Sequence, residues 1–330
     1  MVRKITSAFG LLLTAALASA PAFASALPAA AVTAPPVPVE LNASAVPAKA
    51  TWIIYLNMDQ AMKSPAAGKL LENFLRRHPQ ARKGLAGMKA MGLKFPQDFH
   101  DVLLVGRNVG PNHGVVVIHA TSDQRHLEKW FQTQHAAITV TKLADGIDKI
   151  VDKKSHTFYE ASPTADTFVA SRSVSSLRHE LRVLAGTSAG MAAGNPLLNG
   201  AHPGGILFLA DTDMANLPKG RGPRHGPSWM KSVTRGWLAA WITKGRLTVS
   251  ARVNVKSPDT AAQTVQIAQG WQAAMDLGAT NAHANPRQQF IAGIADRLNV
   301  GAIGKSIHIH WSMPVAKLLA GPKSSPPATQ

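Results

Sequence analysis

The residue pattern best suited to catalysis in this sequence is Gly186-Thr187-Ser188-Ala189-Gly190. It fits the G-x-S-x-G pattern, in which a strained turn between a strand and a helix exposes a serine nucleophile. Such a serine also needs a base and backbone donors for the oxyanion. However, the apolar residues between Val174 and Leu184 have helical spacing, so Gly186 is better explained as the glycine that ends a helix. We keep a serine hydrolase acting through Ser188 as an alternative function.

The same five residues are similar to the serine motif of patatin-type lipases. That family also has a glycine-rich oxyanion loop before the serine and an Asp-Gly pair well after it. Here the sole Asp-Gly pair, Asp145-Gly146, precedes Ser188. The resemblance therefore stops at the motif, and we expect a turn of small residues at this position.

A second candidate site is the sequence His308-Ile309-His310. On a strand, both imidazoles would lie on the same face. Two histidines in this arrangement can begin a Zn, Cu or Ni site, which needs at least one further ligand, for example His119 or Asp101. The sequence does not show whether His119 or Asp101 lies close to the two histidines. A metal site at His308 and His310 is thus a second alternative function. The simpler prediction is that both histidines belong to the polar face of a strand, and no cofactor is expected.

Positive charge is the broadest chemical signal. The chain has 35 Lys and Arg against 18 Asp and Glu, which gives a net charge of +17. Two clusters are candidates for binding a polyanion, because basic side chains attract such a polymer and release its counterions. They are Arg76, Arg77, Arg82 and Lys83 in the first part of the chain, and Lys219, Arg221 and Arg224 in a Gly- and Pro-rich loop. Nothing in either cluster is specific for nucleic acid.

The composition excludes several classes of protein. There is no cysteine, so disulfide frameworks, thiolate metal sites and cysteine nucleophiles are excluded. Hydrophobic residues make up 45% of the chain and charged residues 16%, which is enough apolar material for a folded core. We expect a globular protein.

The amino terminus has the three regions of a secretory signal. Arg3 and Lys4 precede a short apolar run, and small residues follow up to Ala26. We predict a signal peptide over residues 1–26, an Ala- and Pro-rich linker over 27–50 and a disordered tail over 321–330. No later stretch is long and apolar enough for a transmembrane segment. The expected location is the periplasm or the exterior of the cell.

The elements that would position these residues occur twice. The strand beginning at Ile53 ends in Asp59, and the strand beginning at Leu207 ends in Asp213. Each is followed later by two strands that form a hairpin and then by a helix. We predict an α+β fold with a first half over 51–185, a connecting loop over 186–204 and a second half over 205–320. Each half is expected to be an antiparallel sheet with helices packed on one face, in a ferredoxin-like order.

This layout resembles that of exported bacterial proteins of unknown function, in which two such halves follow a signal peptide. The resemblance covers residues 51–320, rests on no diagnostic motif and implies no activity. The sequence therefore predicts an exported, soluble, non-catalytic protein that binds a protein partner or an anionic polymer of the cell envelope. It does not indicate the oligomeric state.

Overall fold

The computed structural model describes residues 41–77, 82, 86, 89, 94–107, 114–121, 139–143, 145–151, 157–202, 204–212, 232–280 and 286–321. Their strands are β1 Trp52–Asn57, β2 Phe99–Gly106, β3 Gly114–Ala120, β4 Thr139–Lys142, β5 Asp148–Val151, β6 Thr157–Thr164, β7 Thr167–Ser171, β8 Gly205–Asp211, β9 Val233–Thr243, β10 Arg246–Val255, β11 Leu298–Ile303 and β12 Ser306–Pro314. Their α-helices are α1 Met58–Lys63, α2 Pro65–Arg77, α3 Val174–Leu184, α4 Pro258–Thr280, α5 Pro286–Ala295 and α6 Val315–Ala320.

All of these strands belong to one sheet. Its order is β11-β12-β10-β9-β8-β1-β2-β3-β7-β6-β5-β4 and every pairing is antiparallel. The first strand lies in the interior, between β2 and β8, with Tyr55 opposite Leu103 on one side and Phe208 on the other. The predicted α+β class is confirmed, and the two predicted halves share a single continuous sheet.

The ferredoxin-like order is not confirmed. In a split strand-helix-strand unit, another strand separates the two strands that the helix connects. Here β1 and β2, with α1 and α2 between them in the chain, are direct antiparallel neighbours over the whole of β1. The first part of each half is therefore a run of strands paired in chain order.

The larger core lies where α3 packs on the first half of the sheet. Leu177 and Val183 are buried on the inner side of the helix. Beneath the helix lie β3, β6 and β7. Alternate residues of β1 and β2 extend the same core, since every second side chain of a strand points to the same face. The buried strand residues of this core include Ile53, Tyr55, Leu103, Val105, Val115, Val117, Val169 and Phe208.

Residues 41–50, the last ten of the predicted linker over 27–50, pack on the core, whereas residues 27–40 lie outside the described residues. Val46 is fully buried in the α3 core, and the backbone N–H of Met191 donates to the carbonyl of Val46 at 2.7 Å. Pro47 and Gly190 form an isolated bridge, and a Cβ on Gly190 would overlap the backbone of Ser44. A short segment without periodicity can thus still bury two or three apolar side chains. The connecting loop over 186–204 likewise contributes core residues, Met191, Leu197 and Leu198.

A second core lies under α4. This helix begins with Pro258 as its first residue, and the hydroxyl of Ser257 accepts a hydrogen bond from the N–H of Thr260 at 3.1 Å. Ala261, Val265 and Ala268 pack on apolar residues of β10, β11 and β12. The register places these strand residues on the face opposite to the α3 core, so α3 and α4 lie on opposite sides of the sheet.

In the described part of the chain, no helix has the length and apolarity needed to cross a bilayer.

Candidate anion-binding face

Strands β9, β10 and β12 place their polar residues on one face of the sheet. In β10 the residues alternate between polar and apolar, and β12 has the same alternation in matching register. Opposite this face the apolar residues pack toward α4. We call the polar side the polar sheet face; its residues are Arg235, Arg246, Thr248, Ser250, Arg252, Asn254, Ser306, His308, His310 and Ser312.

Hydrogen bonds hold the arginines of this face in position. Arg252 Nε donates to Ser306 Oγ at 2.7 Å. With the amide of Asn254 oriented to satisfy its neighbours, its oxygen accepts from Arg235 Nε at 2.7 Å and its nitrogen donates to Ser306 Oγ at 2.7 Å. Ser306 and Asn254 thus link two guanidinium groups through neutral side chains, which do not offset the positive charge.

The third arginine lies at the other end of β10. Arg246 Nε donates to Ser312 Oγ at 3.3 Å, and its Nη2 donates to the Ser312 carbonyl at 3.2 Å. Thr248 Oγ1 lies 3.1 Å from the same hydroxyl. Arg235, Arg246 and Arg252 are all exposed, so each guanidinium still has donors available to solvent or a ligand.

The two histidines lie between the arginines. His308 is the cross-strand partner of Arg252, and His310 is the partner of Ser250. Partial burial lowers the pKa of both imidazoles, and the positive charge of Arg252 lowers the pKa of His308 further. Both are therefore neutral near pH 7 and gain charge only in more acidic solution.

The polar sheet face has an unbalanced charge. The four strands β9 to β12 contain three arginines and two histidines and no Asp or Glu. Arg252 also lies opposite Trp237, whose indole is covered by the backbone of Gly200 and packs on the α3 core. The three exposed guanidinium groups, set in a row of polar side chains, are suited to an extended anionic ligand.

The basic clusters predicted from the sequence are described only in part. Arg76 is exposed at the end of α2, where its Nη2 donates to Asn73 Oδ1 at 3.2 Å, and Arg82 is also exposed. The side chain of Arg77 and the whole of Lys83 lie outside the described residues. So do Lys219, Arg221 and Arg224, together with Asp213.

Ser188 follows a helix, not a strand. Gly186 has a φ of 69° and ends α3, and the N–H groups of Thr187 and Ser188 both donate to the carbonyl of Arg182, at 2.8 and 3.0 Å. This is a helix C-terminal motif with glycine in the left-handed conformation. The strand-turn-helix context of a nucleophile elbow is not present around Ser188.

His308 and His310 do not meet the further ligands considered from the sequence. His119 Nδ1 lies 2.7 Å from Asp101 Oδ1. Asp101 belongs to β2 and His119 to β3, which are five and six strand positions from β12. At about 4.8 Å per strand this is over 20 Å away. Among the residues that the structure describes, no group of three or more His, Asp or Glu side chains could hold a metal ion.

Sequence reasoning missed Arg235, Arg246 and Arg252. The signal was present, because polar residues occur at every second position from Arg246 to Asn254 and from Ser306 to Ser312. Alternation shows that each strand has a polar face, but it does not show which strands are neighbours. The pairing of β10 with β12 is what brings the arginines and histidines together.

Comparisons with known proteins add little. No protein-family model matches the chain, and no curated protein matches it. Among solved structures it is similar to crystal form III of TP0453, with 11% identity, 87% of this chain and 97% of that chain covered and a TM-score of 0.45. Crystal form I of the same protein gives 11% identity, 86% and 96% coverage and a TM-score of 0.43. Similarity at this level says nothing about function.

Proposed function

We propose that this is an exported, non-catalytic protein that binds an anionic polymer of the cell envelope through the polar sheet face. The observation that supports the proposal is the set of three exposed arginines on strands that contain no acidic residue. Residues 1–26 include two basic residues and no acidic one, so removal of the signal peptide would leave a charge of +15. Long-range attraction would then favour any polyanion in the periplasm or outside the cell.

The geometry of the face favours a polymer over a small anion. The guanidinium groups of Arg246 and Arg252 are separated by six residues of one strand, which at about 3.4 Å per residue is close to 20 Å. A single phosphate or carboxylate cannot contact both. Repeated anionic groups along a chain can, and each contact would release counterions.

The test measures binding of the full mature chain to polyphosphate and to polyglutamate as a function of salt concentration. We expect the logarithm of the affinity to fall linearly with the logarithm of the salt concentration. Changing Arg235, Arg246 and Arg252 together to Gln should flatten this slope by up to about three counterions. Gln keeps hydrogen-bonding capacity toward Ser306 and Ser312, so the strands should remain intact.

Two control variants distinguish binding at the polar sheet face from attraction by bulk charge and from binding at another basic surface. Changing Lys49, Lys63 and Arg182 to Gln removes the same charge from exposed positions outside the polar sheet face. If this variant flattens the slope equally, bulk charge alone causes binding and the proposal is wrong. The second control neutralises the other candidate surface, Lys219, Arg221 and Arg224. A large effect there with none at the polar sheet face would move the binding surface to that loop.

We also propose that the two halves are related by duplication. From the centre outward, the strands run β1-β2-β3-β7-β6 on one side and β8-β9-β10-β12-β11 on the other, which is the same chain order apart from the inserted pair β4-β5. An experimental structure would test this by superposing the two sets of five strands. Different strand directions or connections after superposition would argue against duplication.

A further inference from the structure

A row of three uncharged polar side chains crosses the middle of the polar sheet face. Ser250 on β10 is the cross-strand partner of His310 on β12, and His310 is the partner of Asn299 on β11. Asn299 lies on this side because its neighbours Leu298 and Val300 are buried in the α4 core. Within the described part of the chain, none of the three side chains makes a hydrogen bond. We call Ser250, His310 and Asn299 the central row.

The central row lies in a strip of the sheet that runs along β10. On one side of the strip, the ring of His202 stacks on Trp241 with 3.9 Å between the ring centroids, and the backbone of Gly200 lies against Trp237. The loop with Gly200 and His202 therefore covers β9. On the other side, the strip ends at β11, the edge strand of the sheet. Three strands at a spacing of about 4.8 Å make the strip about 10 Å wide, which suits one extended chain lying along the strands.

Positive charge is confined to the two ends of this strip. Arg246 lies at one end, and Arg252 and Arg235 lie at the other, about 20 Å away. The turn residues Lys244 and Lys305 belong to the same two ends. The described strands place no cation on the central row near pH 7.

This distribution of charge selects among anionic polymers. A polymer with a charge on every unit would place several anions on the central row, where no cation faces them. Removing an anion from water without a cationic partner is unfavourable. The strip therefore fits a polymer whose anionic groups are far apart and whose intervening units are neutral and form hydrogen bonds.

The central row has the chemistry to bind sugar hydroxyls. A serine hydroxyl, a carboxamide and a neutral imidazole each donate and accept hydrogen bonds, as a sugar hydroxyl does. An extended peptide would instead use its backbone N–H and C=O groups, which pair at the edge of a sheet and not on its face. We propose that the polar sheet face binds an acidic polysaccharide in which charged sugars are separated by neutral ones, with the acidic groups at the arginines and the neutral sugars on the central row. The proposal rests on the proposed binding of an anionic polymer and names the chemical class of that polymer.

The test compares two forms of one polysaccharide. They are polygalacturonate with all of its carboxylates free, and the same polymer with most of its carboxylates methyl-esterified. Binding to the full mature chain is measured by titration calorimetry at about 0.15 M salt, where exposed charges more than about 8 Å apart are largely screened. We expect the partly esterified form to bind about tenfold more tightly, because the fully ionised form places unpaired anions on the central row. Tighter binding of the fully ionised form overturns the proposal.

Two lysine variants show whether the preference arises at the central row. His310→Lys puts a cation in the row and should remove the preference for the partly esterified form. The matched control is Gln266→Lys, which adds the same charge at an exposed position of α4, on the opposite side of the sheet, and should keep the preference. Equal effects of the two variants would show that only net charge matters and would overturn the proposal.

A variant that combines Ser250→Ala with Asn299→Ala tests the hydrogen bonds. It should weaken binding of the partly esterified form by about tenfold, since two hydrogen bonds are lost. The salt dependence should stay that of the parent, because the arginines are intact. Neither side chain has a hydrogen-bond partner in the described part of the chain, so the thermal stability should also be retained. An unchanged affinity overturns the proposal.

The polysaccharide and the anionic polymer can fail separately. If the arginine variant weakens polyphosphate binding but the partly esterified polymer is not preferred, the proposed function stands and the polysaccharide is wrong. If neither polyphosphate nor polygalacturonate binds, both are wrong. If a peptide with glutamates separated by several neutral residues binds as tightly as the partly esterified polymer, the ligand is a protein partner and the polysaccharide is again wrong.

Discussion

Replacing Glu180 by Gln should change the pH dependence of stability. Glu180 is fully buried on the inner side of α3, between Leu177 and Val183, and among the residues that the structure describes neither carboxyl oxygen has a hydrogen-bond partner. Burial raises the pKa of this carboxyl from 4.5 to about 8. The folded protein therefore holds a proton on Glu180 at neutral pH, whereas the unfolded chain does not.

The sign and size of the effect follow from this difference. Between pH 4.5 and about 8 the folded state binds one more proton than the unfolded state, so the free energy of unfolding falls as the pH rises. The stabilisation that comes from the proton on Glu180 is fully present below the pKa of the unfolded chain, 4.5. It is lost progressively as the pH rises to the folded pKa of about 8. Each pH unit costs about 1.4 kcal/mol, so the loss between pH 5 and pH 7 is about 3 kcal/mol. That is a large share of the total stability of a typical domain.

The assay is equilibrium unfolding in urea at several pH values, followed by tryptophan fluorescence. Gln has the shape of the protonated Glu and cannot ionise. Glu180→Gln should therefore be more stable than the parent at pH 7 by about 3 kcal/mol and nearly equal to it at pH 4.5. The exposed Glu72 on α2, changed to Gln, is the control and should follow the parent. If Glu180→Gln and the parent lose stability in parallel as the pH rises, the carboxyl is not held uncharged in the fold and the reasoning is refuted.

Three further predictions concern the other ionisable and nucleophilic groups. Because the pKa values of His308 and His310 are lowered, binding of polyphosphate should strengthen as the pH falls below 6, and changing both to Gln should abolish that increase, as measured by titration calorimetry. The hydrogen bond to Asp101 raises the pKa of His119, so NMR titration should show this imidazole losing its proton at a higher pH than an ordinary histidine. The variant Asp101→Asn should bring the pKa of His119 back down, and an unchanged pKa would contradict the pairing. Ser188 should not react with a fluorophosphonate probe, and labelling lost in Ser188→Ala would establish a serine nucleophile instead.

Local features of the fold could be predicted from the sequence. The hairpin of β9 and β10 is indicated by two apolar runs around Lys244-Gly245, and both turn residues have the positive φ that such turns need. The start of α4 is indicated by Ser257 and Pro258. These signals depend on a few consecutive residues, so the local structures that they predict do not depend on contacts with distant parts of the chain.

The remaining features depend on contacts between distant parts of the chain. The polar sheet face requires β10 to pair with β12, and Arg252 and His308 are 56 positions apart. The burial of Val46 requires α3 and the loop at Met191. The helical spacing of Glu180 places it among core residues, but glutamate is normally a surface residue. From the sequence alone, these two signals give opposite predictions of its burial. For these residues, only the tertiary arrangement decides.

The pairing of β1 with β8 makes the order of synthesis important for this protein. Tyr55 and Phe208 are partners in the sheet, and about 150 residues separate them in the chain. At about 5 to 20 residues per second, β1 waits on the order of ten seconds on the ribosome before its second partner exists. Until then its edge exposes unpaired backbone groups and apolar side chains, which can template association with other chains. We therefore expect a chain that ends before β8 to associate with other chains more readily than the full chain does.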